Sequence, residues 1–85
     1  MNNMERIKQL DAYVAQWDEM LTAAVSRRNS ALALKALAVE VRDDAGVDVL
    51  QKQADEADAA ALKLHECRTR AEARLGRAQA GDEQA

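Results

Sequence analysis

The chain has 85 residues, of which 12 are basic and 15 acidic, giving a net charge of −3. Alanine supplies 19 residues, there is no proline or phenylalanine, and there is one cysteine. This length allows one domain at most, the scarcity of strand-forming residues excludes sheet folds, and a single cysteine excludes an internal disulfide framework. The composition therefore predicts a small all-α protein.

The sequence also constrains the compartment. No stretch approaches the roughly 20 apolar residues of a membrane span, and no charged-then-apolar leader indicates a signal peptide. The single cysteine is a free thiol, which favours a reducing environment. Richness in Ala, Arg and Asp is typical of a high-GC bacterium or its phages. We therefore expect a cytoplasmic protein, in a bacterium or in the host of a phage.

Good helix formers fill most of the first 45 positions. Asn2 is the predicted N-cap of this first helix, and Gly46 is predicted to end it in the left-handed conformation. Asp48 then caps a second helix. The sequence predicts one antiparallel hairpin over residues 1–80, with helix 1 over about 3–45, a turn at 46–47, helix 2 over about 48–78 and a flexible tail over 81–85. A polar run leaves open a break in helix 1 near residues 27–30.

Both predicted helices carry a seam in which apolar residues and alanines alternate at spacings of three and four, as in helices that wrap at a shallow angle. In helix 1 the predicted seam is Leu10, Tyr13, Trp17, Met20, Ala24, Arg27, Ala31, Leu34, Ala38, Val41 and Ala45. In helix 2 it is Leu50, Ala54, Ala57, Ala61, Leu64, Arg68, Ala71, Leu75 and Ala78. Alanine allows the helices to approach closely. Folding at 46–47 sets Trp17 near Leu75 and makes Arg27 meet Arg68.

Large apolar residues remain outside this seam, and most of them recur at sevenfold spacing: Met4, Ile7, Val14, Leu21, Val25, Leu32 and Val39. Full burial of each contributes roughly 1.5–3 kcal/mol, so an isolated hairpin that leaves them exposed is unfavourable. The predicted helix 1 is also about a dozen residues longer than helix 2, which leaves its first turns without a neighbour. We expect these residues to form a homodimer interface, a four-helix bundle, or a surface for another protein.

Chemistry-bearing residues give weaker signals. His65 and Cys67 are two positions apart, so on a helix they point roughly 200° apart and cannot share a metal site. The sequence shows no nucleophile with a base and no glycine-rich loop, and we expect no enzymatic activity, cofactor, metal or small-molecule substrate. A possible basic patch comprises Arg27, Arg28, Lys63, Arg70, Arg74 and Arg77. The acidic net charge nevertheless argues against a nucleic-acid partner.

These features predict a helical protein-interaction module acting through apolar helix faces: an adaptor, an inhibitor or an assembly co-chaperone, of phage or secretion-system origin. The layout, an alanine-seamed antiparallel hairpin, is similar to that of the Rop family of plasmid copy-number regulators. This resemblance implies a dimeric four-helix bundle and RNA regulation as a second function. A coiled-coil spacer in a larger assembly is a third. No motif identifies the partner.

Overall fold

The chain forms two long helices that run antiparallel, as seen in a computed structural model that describes residues 3–81. Helix α1 spans Asn3–Glu40 and helix α2 spans Asp44–Gln79, with 38 and 36 residues. The described hairpin measures 60 × 15 × 14 Å. The prediction of an all-helical hairpin is confirmed for these residues. The predicted cap at Asn2 and the tail over 82–85 lie outside the described residues.

The turn lies at residues 41–43 and begins five residues before the predicted turn at 46–47. Arg42 takes the left-handed conformation, with φ 59°, and the N–H of Asp43 donates to the carbonyl of Ala38 at 2.9 Å. This is the Schellman arrangement in which many helices end. The predicted boundaries at the turn are therefore wrong, because an arginine, and not the glycine, occupies the left-handed position.

Gly46 lies in the first turn of α2, where its N–H group takes part in the N-cap of the helix. The Asp43 carboxylate accepts a hydrogen bond from the Gly46 N–H at 3.0 Å, and a Cβ at position 46 would collide with that carboxylate. The early turn makes the two helices nearly equal in length, so α1 is packed against α2 from end to end. We attribute the displacement to this burial, which outweighs the roughly 1–2 kcal/mol strain of a left-handed arginine.

The first turns of α1 consequently have neighbours. The Asn3 side-chain amide donates to the carbonyl of Ala78 at 3.5 Å, and both Ile7 and Leu10 are half-buried. The predicted overhang of helix 1 is wrong, because the turn comes earlier and α2 reaches the beginning of α1.

The core is a strip of alanine along the line where the helices meet. The buried residues are Ala24, Ala31, Ala38, Ala54, Ala57, Ala61, Ala71 and Ala78. Larger half-buried side chains continue this strip towards the open end of the hairpin: Ile7, Leu10, Val14, Trp17, Leu21, Leu64 and Leu75. Helix α1 runs unbroken through residues 27–30. An alanine-spaced seam, as predicted, thus joins the helices.

Half of the seam predicted for α1 is nevertheless wrong. Four large apolar residues predicted to point inward are exposed, Tyr13, Met20, Leu34 and Val41, and so are Arg27 and Ala45. Their places are taken by a neighbouring half-buried stripe: Ile7, Val14, Leu21, Arg28 and Lys35. The two cations fit because their aliphatic stems lie along the alanines while the charged groups reach Asp58 and Gln51. The three aliphatic members of this stripe belong to the seam and not to the free flank predicted for them.

The earlier turn also changes the predicted contacts between the helices. Arg27, predicted to meet Arg68, lies beside Ala57 at the edge of a groove. The Nε of Arg68 lies 3.3 Å from Asp18 and 3.0 Å from Glu72, although it is not aligned to donate a hydrogen bond. The predicted meeting of Arg27 and Arg68 is therefore wrong, because Arg68 lies near carboxylates and Arg27 lies at a different level of the hairpin.

Candidate functional site

Two helices lying side by side give the hairpin two broad faces, one on each side of the seam. The apolar face follows one stripe of each helix: Tyr13, Met20, Arg27 and Leu34 on α1, continued by Val41 in the turn, and Gln53, Ala60, Cys67 and Arg74 on α2. The bridged face follows the opposite stripes: Asp11, Asp18, Val25, Leu32 and Val39 on α1, and Gln51, Asp58, His65 and Glu72 on α2. The residues that flank each stripe on the side away from the seam complete its face.

Near the turn, the apolar face forms a shallow groove of about 590 Å³. Its lining is Ser26, Arg27, Ser30, Ala31, Leu34, Gln53, Glu56, Ala57 and Ala60. Leu34 and its neighbours Leu37, Val41 and Val49 are each 54–66% exposed. Such a cluster of large apolar side chains in water is typical of a surface that another molecule covers.

At the open end, the same face carries a second groove of about 210 Å³, lined by Tyr13, Trp17, Cys67, Arg70, Ala71 and Arg74. The rings of Tyr13 and Trp17 meet edge to face, with centroids 5.7 Å apart. The indole N–H of Trp17 is shielded from water and finds no acceptor among the described residues. Arg70 Nη2 donates to the Cys67 sulfur at 3.4 Å. This groove therefore presents aromatic surface together with two arginine side chains, Arg70 and Arg74.

The bridged face is crossed by polar contacts between the helices. Arg28 Nη1 donates to Asp58 Oδ1 at 3.1 Å, the Lys35 ammonium donates to Gln51, and Arg68 adds the contacts described above. The side chains of the first pair are 35% and 55% exposed, so water screens the pair and its contribution is about 1 kcal/mol or less. These contacts fix the register of the helices more than they stabilise the fold.

The predicted interface residues divide between the seam and the bridged face. Half-buried in the seam are Ile7, Val14 and Leu21. On the bridged face lie Met4, Val25, Leu32 and Val39, of which Val25 is half-buried. The apolar face was missed because its residues were assigned to the seam or left out. An earlier turn that makes the two helices equal in length was the signal that could have found it, since such a turn gives the first turns of α1 a neighbour on α2.

The predicted basic patch also divides. Arg28 lies on the bridged face, bound to Asp58, whereas the other five members lie on the apolar side: Arg27, Lys63, Arg70, Arg74 and Arg77. Four of these follow α2 towards its C-terminal end, and two of the four, Arg70 and Arg74, line the same groove as Tyr13. The patch is therefore a stripe along one helix and not a cluster shared by both.

Counted by helical position, the two faces have opposite charge. The cations of the apolar face are Arg6, Arg27, Lys63, Arg70, Arg74 and Arg77, and its acid is Glu56. The acids of the bridged face are Asp11, Asp18, Asp44, Asp48, Asp55, Asp58 and Glu72, and its cations are Lys8, Arg28, Lys35 and Arg68. The apolar face thus has a net charge of +5 and the bridged face a net charge of −3.

His65 and Cys67 lie on opposite faces of α2, in keeping with their spacing. Within residues 3–81, no group of three or more histidine, cysteine or acidic side chains could hold a metal ion. In the same part of the chain, neither helix combines the length and apolarity needed to cross a bilayer. Compared with known proteins, the chain matches no protein-family model, no curated protein and no solved structure.

Proposed function

We propose that the chain is a small non-enzymatic protein-interaction module that pairs with a second copy of itself through the apolar face, forming a four-helix bundle. The observation that carries this proposal is the set of large exposed apolar side chains on that face: Tyr13, Met20, Leu34, Leu37, Val41 and Val49. Full burial of each contributes roughly 1.5–3 kcal/mol, which favours association over leaving them in water.

The dimensions of the hairpin suit such a pairing. A face 60 Å long and 15 Å wide offers at most about 900 Å², and a standard protein–protein interface buries about 800 Å² on each partner. The two helices have nearly equal lengths, so two hairpins can be in contact from end to end. Contact along nearly the whole face is therefore what a standard interface requires, and an end-to-end pairing of two hairpins supplies it.

The positive charge of the apolar face is compatible with self-association. Lys63, Arg70 and Arg77 occupy the outer edge of α2, where water screens their charges in a bundle. Arg27 lies in the middle of the face, in the groove that Ala60 and Glu56 also line, where its aliphatic stem can pack while the guanidinium reaches towards the edge. The three cations on the outer edge of α2 therefore border the proposed interface, and Arg27 is the cation that a bundle must accommodate near its centre.

Light scattering during size-exclusion chromatography tests the proposal. The wild type is expected to have twice its chain mass of 9.3 kDa, and Met20→Glu with Leu34→Glu is expected to give a helical monomer. The matched control places the same charges on the bridged face, through Leu32→Glu with Val39→Glu, and remains dimeric. Interfaces of this size have dissociation constants in the micromolar range or below. A wild type that is still monomeric at about 100 μM therefore contradicts the proposal.

In a bacterial cytoplasm, or in the host cytoplasm if the gene belongs to a phage, such a bundle acts as an adaptor, inhibitor or assembly co-chaperone by contact with another protein. Its length and rigidity suit the presentation of helix surfaces. The surface left open in the bundle is the bridged face.

A second candidate function is RNA binding, which one observation favours. The α2 stripe comprises Lys63, Arg70, Arg74 and Arg77, of which Arg70 and Arg74 line one groove with Tyr13. Cations with a nearby aromatic ring suit single-stranded RNA. Fluorescence anisotropy with a labelled single-stranded RNA, measured against salt concentration, tests this function. Binding that weakens with salt and is lost in Arg70→Gln with Arg74→Gln supports it. Unchanged anisotropy at low salt excludes it.

A further inference from the structure

The bridged face carries an apolar stripe of its own. Val25, Leu32 and Val39 recur every seven residues along α1, and Leu62 lies across the seam on α2. Leu32, Val39 and Leu62 are 42%, 56% and 64% exposed. At about 1.5 Å per residue the α1 stripe spans roughly 21 Å, which matches one side of a helix of four turns. A partner helix can therefore contact the whole stripe.

Between the two helices, this stripe borders a shallow groove of about 350 Å³, lined by Arg28, Asn29, Leu32, Gln51, Ala54, Asp55 and Asp58. The floor of the groove is Ala54, which is 3% exposed, so a small depression lies over the alanine seam. A side chain of a partner helix can enter there, as in the helix-in-groove mode of recognition.

The charge of the bridged face determines which kind of partner helix it attracts. The acids of the bridged face outnumber its cations by three, and two of those cations are already engaged by acids within the hairpin, Arg28 by Asp58 and Arg68 by Asp18 and Glu72. Asp55 lines the groove and accepts a hydrogen bond from the Gln51 side chain at 2.8 Å, and Asp48 lies seven residues before it on the same stripe of α2. Lysine or arginine side chains at the border of an incoming helix gain these carboxylates, whereas glutamates there are repelled.

We infer that the bridged face binds a cationic amphipathic helix of another protein, with apolar residues of that helix on Leu32, Val39 and Leu62 and its cations near Asp48 and Asp55. The inference rests on the proposed function in one respect, since self-association through the apolar face leaves the bridged face open. The dimer then presents two such faces, directed away from each other.

Fluorescence anisotropy with a synthetic helical peptide of about 18 residues, five turns long, tests the inference. The peptide has leucine on one side and lysine on the other, and a second peptide replaces every lysine with glutamate. At about 0.1 M salt, where charges more than about 10 Å apart are screened, the lysine peptide is expected to bind and the glutamate peptide is not. Equal binding of both peptides, or of neither, overturns the inference.

Paired variants localise the binding. Asp48→Lys with Asp55→Lys is expected to weaken binding of the lysine peptide by about tenfold or more, since two attractive charges become repulsive. Glu19→Lys with Glu66→Lys makes the same change of charge on the exposed outer sides of the helices, and is expected to weaken binding by less than about threefold. Equal losses in the two pairs would show general attraction to an acidic protein and overturn the inference.

A third pair separates the contribution of the apolar stripe. Leu32→Ser with Val39→Ser is expected to weaken binding of the lysine peptide by about tenfold or more, because two apolar contacts are lost. Unchanged affinity in this pair overturns the inference. Light scattering of the same samples reports self-association independently. A monomeric wild type that still binds the lysine peptide at this face contradicts the proposed dimer and leaves the inference standing.

Discussion

The two faces of the hairpin lie on either side of one alanine seam, but they differ in the side chains that border the seam. On the bridged face, Arg28 and Lys35 reach across from α1 and fix its position against α2. On the apolar face, Leu34 and Val41 lie beside the same seam and remain 54% and 66% exposed. The difference shows that arginine and lysine can occupy seam positions through their aliphatic stems. Because they do so here, the neighbouring apolar stripe remains available to a second molecule.

The largest effect is expected from widening the seam beneath both faces. Ala31 is 5% exposed, and Ala31→Leu is expected to lower the free energy of unfolding by about 1–3 kcal/mol, because the larger side chain forces the closely packed helices apart. Thermal or urea unfolding measures this change.

Ala33→Leu is the matched control, since Ala33 is exposed on the outer side of α1 and leucine forms helices nearly as well as alanine. Its stability is expected to change by only a few tenths of a kcal/mol. If Ala31→Leu were as stable as this control, a leucine could leave the seam towards the apolar face, and the close approach of the helices would not be a constraint.

The position of the turn decides which stripe belongs to which face, and a pair of substitutions tests it. Arg42 has φ 59°, so Arg42→Gly is expected to raise the free energy of unfolding by about 1 kcal/mol through relief of left-handed strain. Gly46→Ala is expected to lower it by about 0.5–2 kcal/mol, because a Cβ there displaces the Asp43 cap.

If the turn were at 46–47, Arg42→Gly would instead lower the free energy of unfolding. Residue 42 would then lie inside a helix, where glycine costs about 1 kcal/mol relative to better helix formers. Denaturation of the two variants therefore distinguishes the two registers by the sign of the change at position 42.

Much of the fold follows from the sequence, because helix propensity and the sevenfold recurrence of alanine are local signals. The register did not follow from it. Gly46 favoured a turn later in the chain than the observed one. Because Arg28 and Lys35 are charged, the stripe to which they belong was not recognised as part of the seam, and Leu34 and Val41 were predicted to be buried instead. Whether a cation can keep its stem in a seam depends on a partner across the hairpin, which is a tertiary contact that no local pattern contains.

The polar contacts on the bridged face are expected to give the smallest effect. Arg28→Met keeps an unbranched apolar stem on the seam but removes the ion pair with Asp58, and the expected loss of stability is below about 1 kcal/mol because the pair is partly exposed. Asp58→Asn is expected to give a similar loss. Unfolding in low and high salt checks the cause, since screening reduces the difference from wild type. A loss of several kcal/mol would mean that this contact holds the fold together.

The most direct test of the central claim compares the reactivity of one thiol on each face. Cys67 lies in the open-end groove of the apolar face, and Leu62→Cys in a Cys67→Ser background places the thiol on the bridged face. The reaction of each with a small thiol reagent is followed as protein concentration rises through the range of self-association. The account predicts that Cys67 becomes progressively protected while the thiol at position 62 reacts at a constant rate. Protection at position 62 with no change at Cys67 would contradict it.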